Sequence, residues 1–144
     1  MSADEMNKNE MLYETAVKMR ERSYAPYSHF RVGAALLAKD GTVFTGCNIE
    51  NASYGACNCA ERTAFFKAVS EGVKQFAAIA IAGGPEGAEK LDFCPPCGIC
   101  RQVMREFCDP SHMKVLIARS ETDYKEMTLE ELLPESFGPE MLEK

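Results

Sequence analysis

The chain of 144 residues suits one domain over residues 1–144, and no shift in composition marks a linker within it. Its 16 Lys and Arg stand against 22 Asp and Glu, which gives a formal net charge of −6. No basic stripe is present along the sequence. This charge balance argues against electrostatic capture of nucleic acids or anionic membranes, so we expect a small neutral molecule as the partner.

Seven cysteines are a high count for a chain of this length. Their number is odd, and the acidic N-terminus lacks the apolar core of a signal peptide, so they do not resemble a secreted disulfide framework. No apolar run approaches the length of a transmembrane helix. We therefore expect a reducing, cytoplasmic setting, where clustered cysteines more often bind metal.

In the first part of the chain, the spacing of apolar residues predicts a helix over 4–22 and then a β-hairpin. The hairpin strands are expected over 30–38 and 42–46, with Lys39-Asp40-Gly41 at the turn. A loop rich in Asn, Ser and Gly follows over 48–56.

The second part of the chain alternates helix-like and strand-like segments. In order, these are a helix over 59–69, a buried strand over 76–82, a loop over 83–95, a helix over 97–107, a buried strand over 113–118 and an edge strand over 123–127. Thr128, with Glu131 three residues later, predicts a capping box for a short final helix. The whole order predicts an α/β fold with three layers, α/β/α, around a mixed sheet of roughly five strands.

Two cysteine motifs dominate the middle of the sequence, Cys59-Ala60-Glu61 and Pro96-Cys97-Gly98-Ile99-Cys100. Three cysteine ligands leave a fourth position open for water, which is the arrangement of a catalytic zinc, whereas a structural zinc is usually closed by four ligands. Glu61 is close enough to the first ligand to move the protons of that water. A Cys or His followed by x-Glu, and later by Pro-Cys-x-x-Cys, is the signature of zinc deaminases that act on nucleobases.

The residues around the two motifs support thiolate ligands. We expect Cys59 and Cys97 to open helices, because the free N–H groups of a helix N-terminus stabilise negative sulfur. Arg62 and Arg101 each adjoin a motif and could offset the excess charge of three thiolates, and we favour Arg62 as a donor to sulfur. Gly98 is expected to let the backbone pack closely around the metal.

Each feature taken singly also has an ordinary structural interpretation. A free cysteine is often a small core residue, a lone Cys-x-x-Cys can be redox-active, and Glu61 can complete a helix cap begun at Asn58. Cys94 and Cys97 form a further Cys-x-x-Cys, but an iron–sulfur site needs a fourth cysteine just after Cys100, and none stands there. We therefore treat the other cysteines and both histidines as non-ligands, namely Cys47, Cys57, Cys94, Cys108, His29 and His112.

At these motifs the chain resembles the small zinc-dependent cytidine deaminases, with a likeness that runs from about Tyr24 to Phe137. The resemblance rests on five blocks in the same order, each modest alone and specific together: Phe30 to Ala35, Gly46 to Tyr54, Cys59 to Arg62, Pro96 to Val103, and Glu130 to Pro134. One departure is Pro95, where relatives often carry serine. Proline keeps its backbone carbonyl, near which the leaving ammonia is expected, so the change concerns the loop and not the chemistry.

The resemblance implies zinc on Cys59, Cys97 and Cys100, with Glu61 as the proton shuttle. It also implies a set of substrate-binding residues: Phe30 near the base, Asn48 and Glu50 on the ribose 3′-hydroxyl, Ala60 beside the first zinc ligand, and Ala52, Tyr54 and Phe137 reaching the pocket from a neighbouring subunit. The family is commonly a homotetramer with shared active sites, and we expect the same assembly here.

The motifs and the resemblance together predict hydrolytic deamination of cytidine and 2′-deoxycytidine to uridine and 2′-deoxyuridine, with release of ammonia, as in pyrimidine salvage. Two other interpretations stay open. A related nucleoside such as blasticidin S could be the substrate, although Asn48 and Glu50 favour a ribose. A structural zinc module that only binds a partner would need a fourth protein ligand, Cys57 or Cys94, and would leave Glu61 without a task.

Overall fold

The computed structural model describes residues 2–142 and has a five-stranded mixed sheet at its centre. The strands are β1 (Phe30–Ala38), β2 (Val43–Cys47), β3 (Phe76–Pro85), β4 (Lys114–Ala118) and β5 (Tyr124–Thr128). The helices are α1 (Ala3–Met19), α2 (Ala60–Ser70), α3 (Gly98–Phe107) and the short α4 (Leu129–Leu132). Among the helices of these residues, none is both long enough and apolar enough to cross a membrane.

The strands lie side by side in the order β2-β1-β3-β4-β5. Strands β3 and β4 run parallel, with α3 in their connection, and the other neighbouring pairs are antiparallel. The β1–β2 hairpin turns at the predicted Asp40-Gly41, where Gly41 has a φ of +95° that glycine adopts without strain. The predicted α/β fold with a mixed five-stranded sheet is confirmed.

Different helices cover the two faces of the sheet, because successive strand side chains point to opposite faces. On one face, alternate alanines of β3 pack with Leu12 and Ala16 of α1. A Cβ added at Gly33 of β1 would lie 1.8 Å from the carbonyl oxygen of Ala16, so α1 approaches the sheet backbone closely. On the other face, the larger Ile79 and Ile81 pack in a cluster with side chains of α2 and α3. The result is the expected α/β/α layering.

Two element boundaries differ by more than one residue from those predicted by the sequence. Helix α1 ends at Met19, and a 3-10 turn over Arg20–Arg22 replaces its last predicted turn. Strand β3 continues to Pro85, into the segment predicted as a loop, because its end pairs with the start of β1 at Phe30. The Arg20 guanidinium also donates to the Pro85 carbonyl at 3.1 Å and so stabilises this extension.

The short helix α4 begins with the predicted capping box. The Thr128 hydroxyl accepts from the backbone N–H of Glu131 at 3.2 Å, and the Glu131 carboxylate accepts from the N–H of Thr128 at 3.0 Å. These two bonds satisfy donors that would otherwise be unpaired at the helix start.

Candidate metal centre and active-site cleft

Both cysteine motifs lie where a helix begins, as expected. Cys59 is the N-cap residue of α2 and Cys97 that of α3, and neither side chain makes a capping hydrogen bond. Their sulfurs are therefore available to bind a metal, next to the N–H groups of two helix N-termini. Cys100 follows Cys97 by one helical turn on α3 and is buried.

The three sulfurs of these cysteines form one group, in which all atoms lie within 4.8 Å of one another. The Sγ of Cys97 lies 3.7 Å from that of Cys59 and 3.5 Å from that of Cys100. A tetrahedral zinc with Zn–S bonds of about 2.3 Å separates its sulfur ligands by about 3.8 Å, so the group fits Zn²⁺ with little movement. Within residues 2–142 the group has three members, which matches the open coordination of a catalytic zinc rather than a closed structural site.

Arg62 is the arginine that donates to this sulfur group. Its Nη2 lies 3.3 Å from the Sγ of Cys59. Arg101 instead donates to two backbone carbonyls, those of Pro96 at 2.8 Å and Leu132 at 2.7 Å. The alternative role for Arg101, as a donor to sulfur, is therefore not seen in the structure, because its guanidinium holds the ends of two other segments together.

The close backbone approach in this region occurs at Gly46 and not at Gly98. A Cβ added at Gly98 meets no atom within 4 Å outside the backbone of its own helix, and the role of this glycine beside the metal stays a prediction. A Cβ added at Gly46 of β2 would lie 2.2 Å from the carbonyl oxygen of Ala60 and 2.7 Å from the backbone nitrogen of Ala64. Gly46 therefore lets the first turn of α2, which carries the first motif, lie directly against the sheet.

The electrostatics of the sulfur group favour one thiolate at Cys59. A hydrogen bond from Cys100 is the largest cause that lowers the pKa of the Cys59 thiol to about 5, and Arg62 and Cys97 act in the same direction. The same interaction, together with burial, raises the pKa of Cys100. A divalent cation bound by the group would supply the positive charge that allows its thiols to ionise together.

Glu61 lies in the first turn of α2, and its side chain is only 4% exposed. Burial is the main cause that raises the pKa of its carboxyl to about 7, and the charge of Cys59 adds to this effect. The carboxyl does not complete a cap with Asn58, because Cys59 is the N-cap and the Asn58 amide donates to the Thr63 hydroxyl at 3.2 Å. A buried carboxyl of this kind is suited to accept and donate protons.

A cleft of about 290 Å³ opens beside the sulfur group. It is lined by seven of the predicted site residues: Asn48, Glu50, Cys59, Ala60, Glu61, Arg62 and Cys97. It is also lined by six residues that were not named among the predicted site residues: Val32, Ile49, Cys57, Asn58, Cys94 and Pro95. Each of these six lies within a motif block or one or two residues before it, and that proximity is the signal by which sequence reasoning could have found them.

Asn48 is held by β1, and Glu50 is held by the segment that leads into β1. The Asn48 side chain makes two hydrogen bonds to the β1 backbone, of 2.9 and 2.8 Å. The Glu50 carboxylate accepts from the backbone N–H groups of Tyr27 and Ser28 and from the Ser28 hydroxyl. These bonds, of which the one from the Ser28 hydroxyl is the largest cause, lower the pKa of Glu50. Both side chains thus reach the cleft in fixed orientations, with Glu50 ionised.

Four other predicted substrate-binding residues do not line this cleft: Phe30, Ala52, Tyr54 and Phe137. Phe30 is 38% exposed, and its contact with a base stays a prediction. Ala52 is exposed, Tyr54 is 75% exposed and Phe137 is 55% exposed. These three were expected to serve a neighbouring subunit, so their exposure within one chain agrees with that expectation without testing it.

The remaining cysteines and both histidines lie outside the sulfur group of the described chain. Cys94 lines the cleft, and burial raises the pKa of its thiol to about 11. His29 and His112 each pair through Nδ1 with a surface carboxylate, at 3.3 and 2.9 Å. That these six residues do not bind the metal stays a prediction.

Comparison with known proteins relates this geometry to a family. The model of the "Cytidine and deoxycytidylate deaminase zinc-binding region" matches residues 6–117. The cytidine deaminases of Sporosarcina psychrophila and Halalkalibacterium halodurans are 52% and 53% identical to this chain, over 92% and 91% of it and 93% and 95% of those proteins. The crystal structure of cytidine deaminase from Burkholderia pseudomallei matches with a TM-score of 0.79 at 46% identity, over 95% of this chain and 100% of that one.

The matched region spans both cysteine motifs and the strands between them. The fold of the solved relative extends the match over nearly the whole chain. The zinc cofactor expected from the cysteine spacing is therefore confirmed, and so is the resemblance drawn from the motifs. On sequence, fold and metal-binding group alike, the chain belongs to the zinc-binding cytidine and deoxycytidylate deaminase family.

Proposed function

We propose that this protein catalyses the hydrolytic deamination of cytidine and 2′-deoxycytidine, which gives uridine or 2′-deoxyuridine and ammonia. The observation that carries the proposal is the position of Glu61, whose buried carboxyl lines the same cleft as the sulfur group, Asn48 and Glu50. One cleft thus joins a metal-binding group, a proton carrier and polar groups suited to a sugar. The matched relatives are named cytidine deaminases, which supports the same substrate here.

In the proposed reaction, Cys59, Cys97 and Cys100 hold the zinc, which when bound polarises a water molecule and lowers its pKa towards roughly 7. Glu61 removes a proton from the attacking water and delivers it to N3 of the cytosine ring, so that C4 becomes more electrophilic. After the water oxygen has added to C4, Glu61 transfers the second proton to the amino group, and ammonia leaves. Arg62 offsets part of the negative charge on sulfur throughout.

We assign the ribose to Asn48 and Glu50, whose side chains are held in place at the cleft. Ala60 contributes a small side chain to the cleft next to the first ligand, and Phe30 is proposed to stack near the base. The net charge of −6 supports an uncharged nucleoside over a polynucleotide, which would be repelled.

We further propose a homotetramer in which Ala52, Tyr54 and Phe137 serve the active site of a neighbouring subunit. The exposure of two aromatic side chains, 75% for Tyr54 and 55% for Phe137, supports contacts with another chain. A cytoplasmic setting and a role in pyrimidine salvage complete the proposal. Light scattering coupled to size-exclusion chromatography should give the mass of four chains, and a fully active monomer would contradict shared active sites.

The direct test is a spectrophotometric assay of the purified protein with cytidine, because deamination lowers the ultraviolet absorbance of the base. Ammonia release and metal analysis on the same sample should show turnover together with about one zinc per chain. Turnover of blasticidin S without turnover of cytidine would move the assignment to a related nucleoside. Bound zinc without turnover of either compound would indicate a structural zinc module.

The role of Glu61 is tested by Glu61→Gln, which keeps the size of the side chain but removes its capacity to carry a proton. The variant should retain zinc and lose about a thousandfold in kcat. Glu71→Gln makes the same change at the exposed end of the same helix and should retain full activity. Near-normal turnover by Glu61→Gln would end the assignment of Glu61 as the proton carrier.

A further inference from the structure

The turn between α1 and β1 encloses Glu50. The backbone N–H of Glu50 donates to the carbonyl of Tyr24 at 2.8 Å. The backbone N–H groups of Tyr27 and Ser28 donate to Oε1 of the Glu50 carboxylate at 3.0 and 3.1 Å. The main chain and the side chain of Glu50 are therefore both tied to this turn.

The hydroxyl of Ser28 makes a separate contact with the same carboxylate. It donates to Oε2 of Glu50 at 2.5 Å and accepts from the backbone N–H of Phe30 at 3.0 Å. A hydroxyl has one donor and two acceptor positions, so both bonds form at once. The bond from Phe30 also restricts the rotation of the Ser28 hydroxyl, which keeps its hydrogen directed at Glu50.

The two oxygens of the Glu50 carboxylate are held differently. The backbone N–H groups of Tyr27 and Ser28 donate to Oε1, whereas among the described residues Oε2 accepts from the Ser28 hydroxyl. An ionised carboxylate has about four acceptor positions, and three are filled by this turn. The position that remains belongs to Oε2, the oxygen whose direction Ser28 determines.

Ser28 itself lies away from the metal centre. Glu50 lines the cleft that contains Glu61 and Cys59, and Ser28 is not part of that lining. Ser28 lines a neighbouring cavity instead, together with Tyr27 and Glu50. Ser28 therefore acts on a molecule in the cleft either through Glu50 or, by its bond to the backbone N–H, through Phe30, and the two routes differ in whether the sugar hydroxyls are needed.

We propose that Ser28 is a positioning residue for the sugar of the substrate, because it fixes Oε2 of Glu50 so that the remaining acceptor position meets a sugar hydroxyl. The inference rests on the proposed function, in which Glu50 binds the ribose. Without the Ser28 hydroxyl, the carboxylate can rotate about the bonds that hold Oε1. Binding of a nucleoside that carries a 3′-hydroxyl should then weaken, while proton transfer at the base by Glu61 is unaffected.

The test compares steady-state kinetics with cytidine and with 2′,3′-dideoxycytidine, which lacks the sugar hydroxyls. Loss of a hydrogen bond to a charged group predicts that Ser28→Ala raises KM for cytidine about tenfold, with kcat and the dideoxycytidine kinetics within about twofold of wild type. Ser28→Thr keeps a hydroxyl and should restore most of the cytidine KM. Ser23→Ala is the matched control, because the Ser23 hydroxyl donates to the Val32 carbonyl at 3.2 Å and does not contact Glu50.

A double-mutant cycle with Glu50→Ala separates positioning from general support of the fold. If Ser28 acts through Glu50, then Ser28→Ala adds less than about twofold to the effect of Glu50→Ala. If Ser28 only supported the fold, Ser28→Ala would lower kcat for both substrates, and its effect would multiply with that of Glu50→Ala. That result overturns the inference. A wild-type enzyme that does not deaminate cytidine would overturn the proposed function as well, whereas an active wild type with an unchanged cytidine KM in Ser28→Ala overturns this inference alone.

Discussion

The guanidinium of Arg62 reaches the Sγ of Cys59 across 3.3 Å, from the position that directly follows Glu61 on α2. One helical turn therefore presents a metal ligand, a buried carboxyl and a positive donor to sulfur. Three thiolates on Zn²⁺ leave one excess negative charge, which weakens the metal as a Lewis acid. A charge-assisted hydrogen bond from Arg62 draws part of that charge away from sulfur.

Arg62→Ala should slow turnover without emptying the metal site. Loss of a hydrogen bond to a charged group costs about 1.5–3 kcal/mol, so we expect kcat to fall about ten- to a hundredfold while the zinc content stays at that of wild type. Arg62→Lys keeps the positive charge and should recover part of the loss. Steady-state kinetics beside metal analysis gives the answer, and unchanged kinetics in Arg62→Ala would remove Arg62 from the mechanism.

Paired serine substitutions distinguish a zinc ligand from a cysteine that lines the cleft outside the sulfur group. Cys97 is exposed and belongs to the sulfur group, whereas Cys94 lines the cleft outside that group. Cys97→Ser should weaken zinc binding by about a hundredfold or more, and Cys94→Ser should keep one zinc per chain. Competition with a chelating dye measures the zinc affinity of both variants. Loss of zinc from Cys94→Ser would require a different set of zinc ligands. A brown purified protein would indicate an iron–sulfur cluster and would also contradict the assignment.

Gly46 should be far less tolerant of a methyl group than Gly98. At Gly46 the added carbon would lie 2.2 Å from the carbonyl oxygen of Ala60, so α2 must move away from β2. We expect Gly46→Ala to lower the free energy of unfolding by about 3 kcal/mol or more and to reduce activity, because the first turn of α2 is displaced. Gly98→Ala meets no atom within 4 Å and should change stability by less than about 1 kcal/mol. Urea denaturation of both variants measures this difference. Equal losses in the free energy of unfolding would contradict the close packing of α2 against Gly46.

Arg105 should anchor the end of the chain to α3. Its guanidinium is nearly buried, donates to the Ser136 hydroxyl at 2.7 Å, forms an ion pair with Glu140 and packs against Gly138. Arg105→Ala should lower the free energy of unfolding by about 2 kcal/mol, since it removes a buried donor from several partners at once. Hydrogen exchange should show faster opening of the segment around Ser136, and unchanged protection there would contradict the anchor.

The pairing of Arg105 with Glu140 should make part of this stability depend on pH. The hydrogen bond from Arg105 lowers the pKa of the Glu140 carboxyl in the folded state below its usual value of 4.5. The folded state therefore binds this proton less readily than the unfolded state. The contribution of the Arg105–Glu140 pair to folding stability is thus present above pH 4.5 and is lost as the pH falls. Glu140→Gln should be less stable than wild type at pH 7, and the difference should shrink below pH 4.5. A difference that stays constant across this range would show that the ion pair contributes nothing.

Features that depend on neighbouring residues could be predicted from the sequence. The spacing of Cys97 and Cys100 places both sulfurs on one face of a helical turn, so this half of the metal site follows from local geometry. The same holds for the capping box of Thr128 and Glu131, in which both bonds form within three residues. Helical periodicity likewise predicted the main helices, each of which buries one face. Continuous apolar runs predicted the central strands, which are buried on both faces.

Features that join distant segments were decided by the tertiary structure. Cys59 and Cys97 are 38 residues apart in the chain, yet their sulfurs are in contact. Only the sheet brings the two helix starts together. The burial of Glu61 and the attachment of Glu50 to Ser28 likewise depend on elements that pack from elsewhere in the chain.

The sequence by itself determined which chemistry this protein can carry, since three cysteines and a glutamate at these spacings suit zinc and proton transfer. It did not determine which of two arginines would reach sulfur or which of two glycines would bear a close contact. Those outcomes depend on how near one element approaches another, and side-chain packing and backbone pairing between elements set that distance. The sequence pattern within one element carries no information about the distance between two elements.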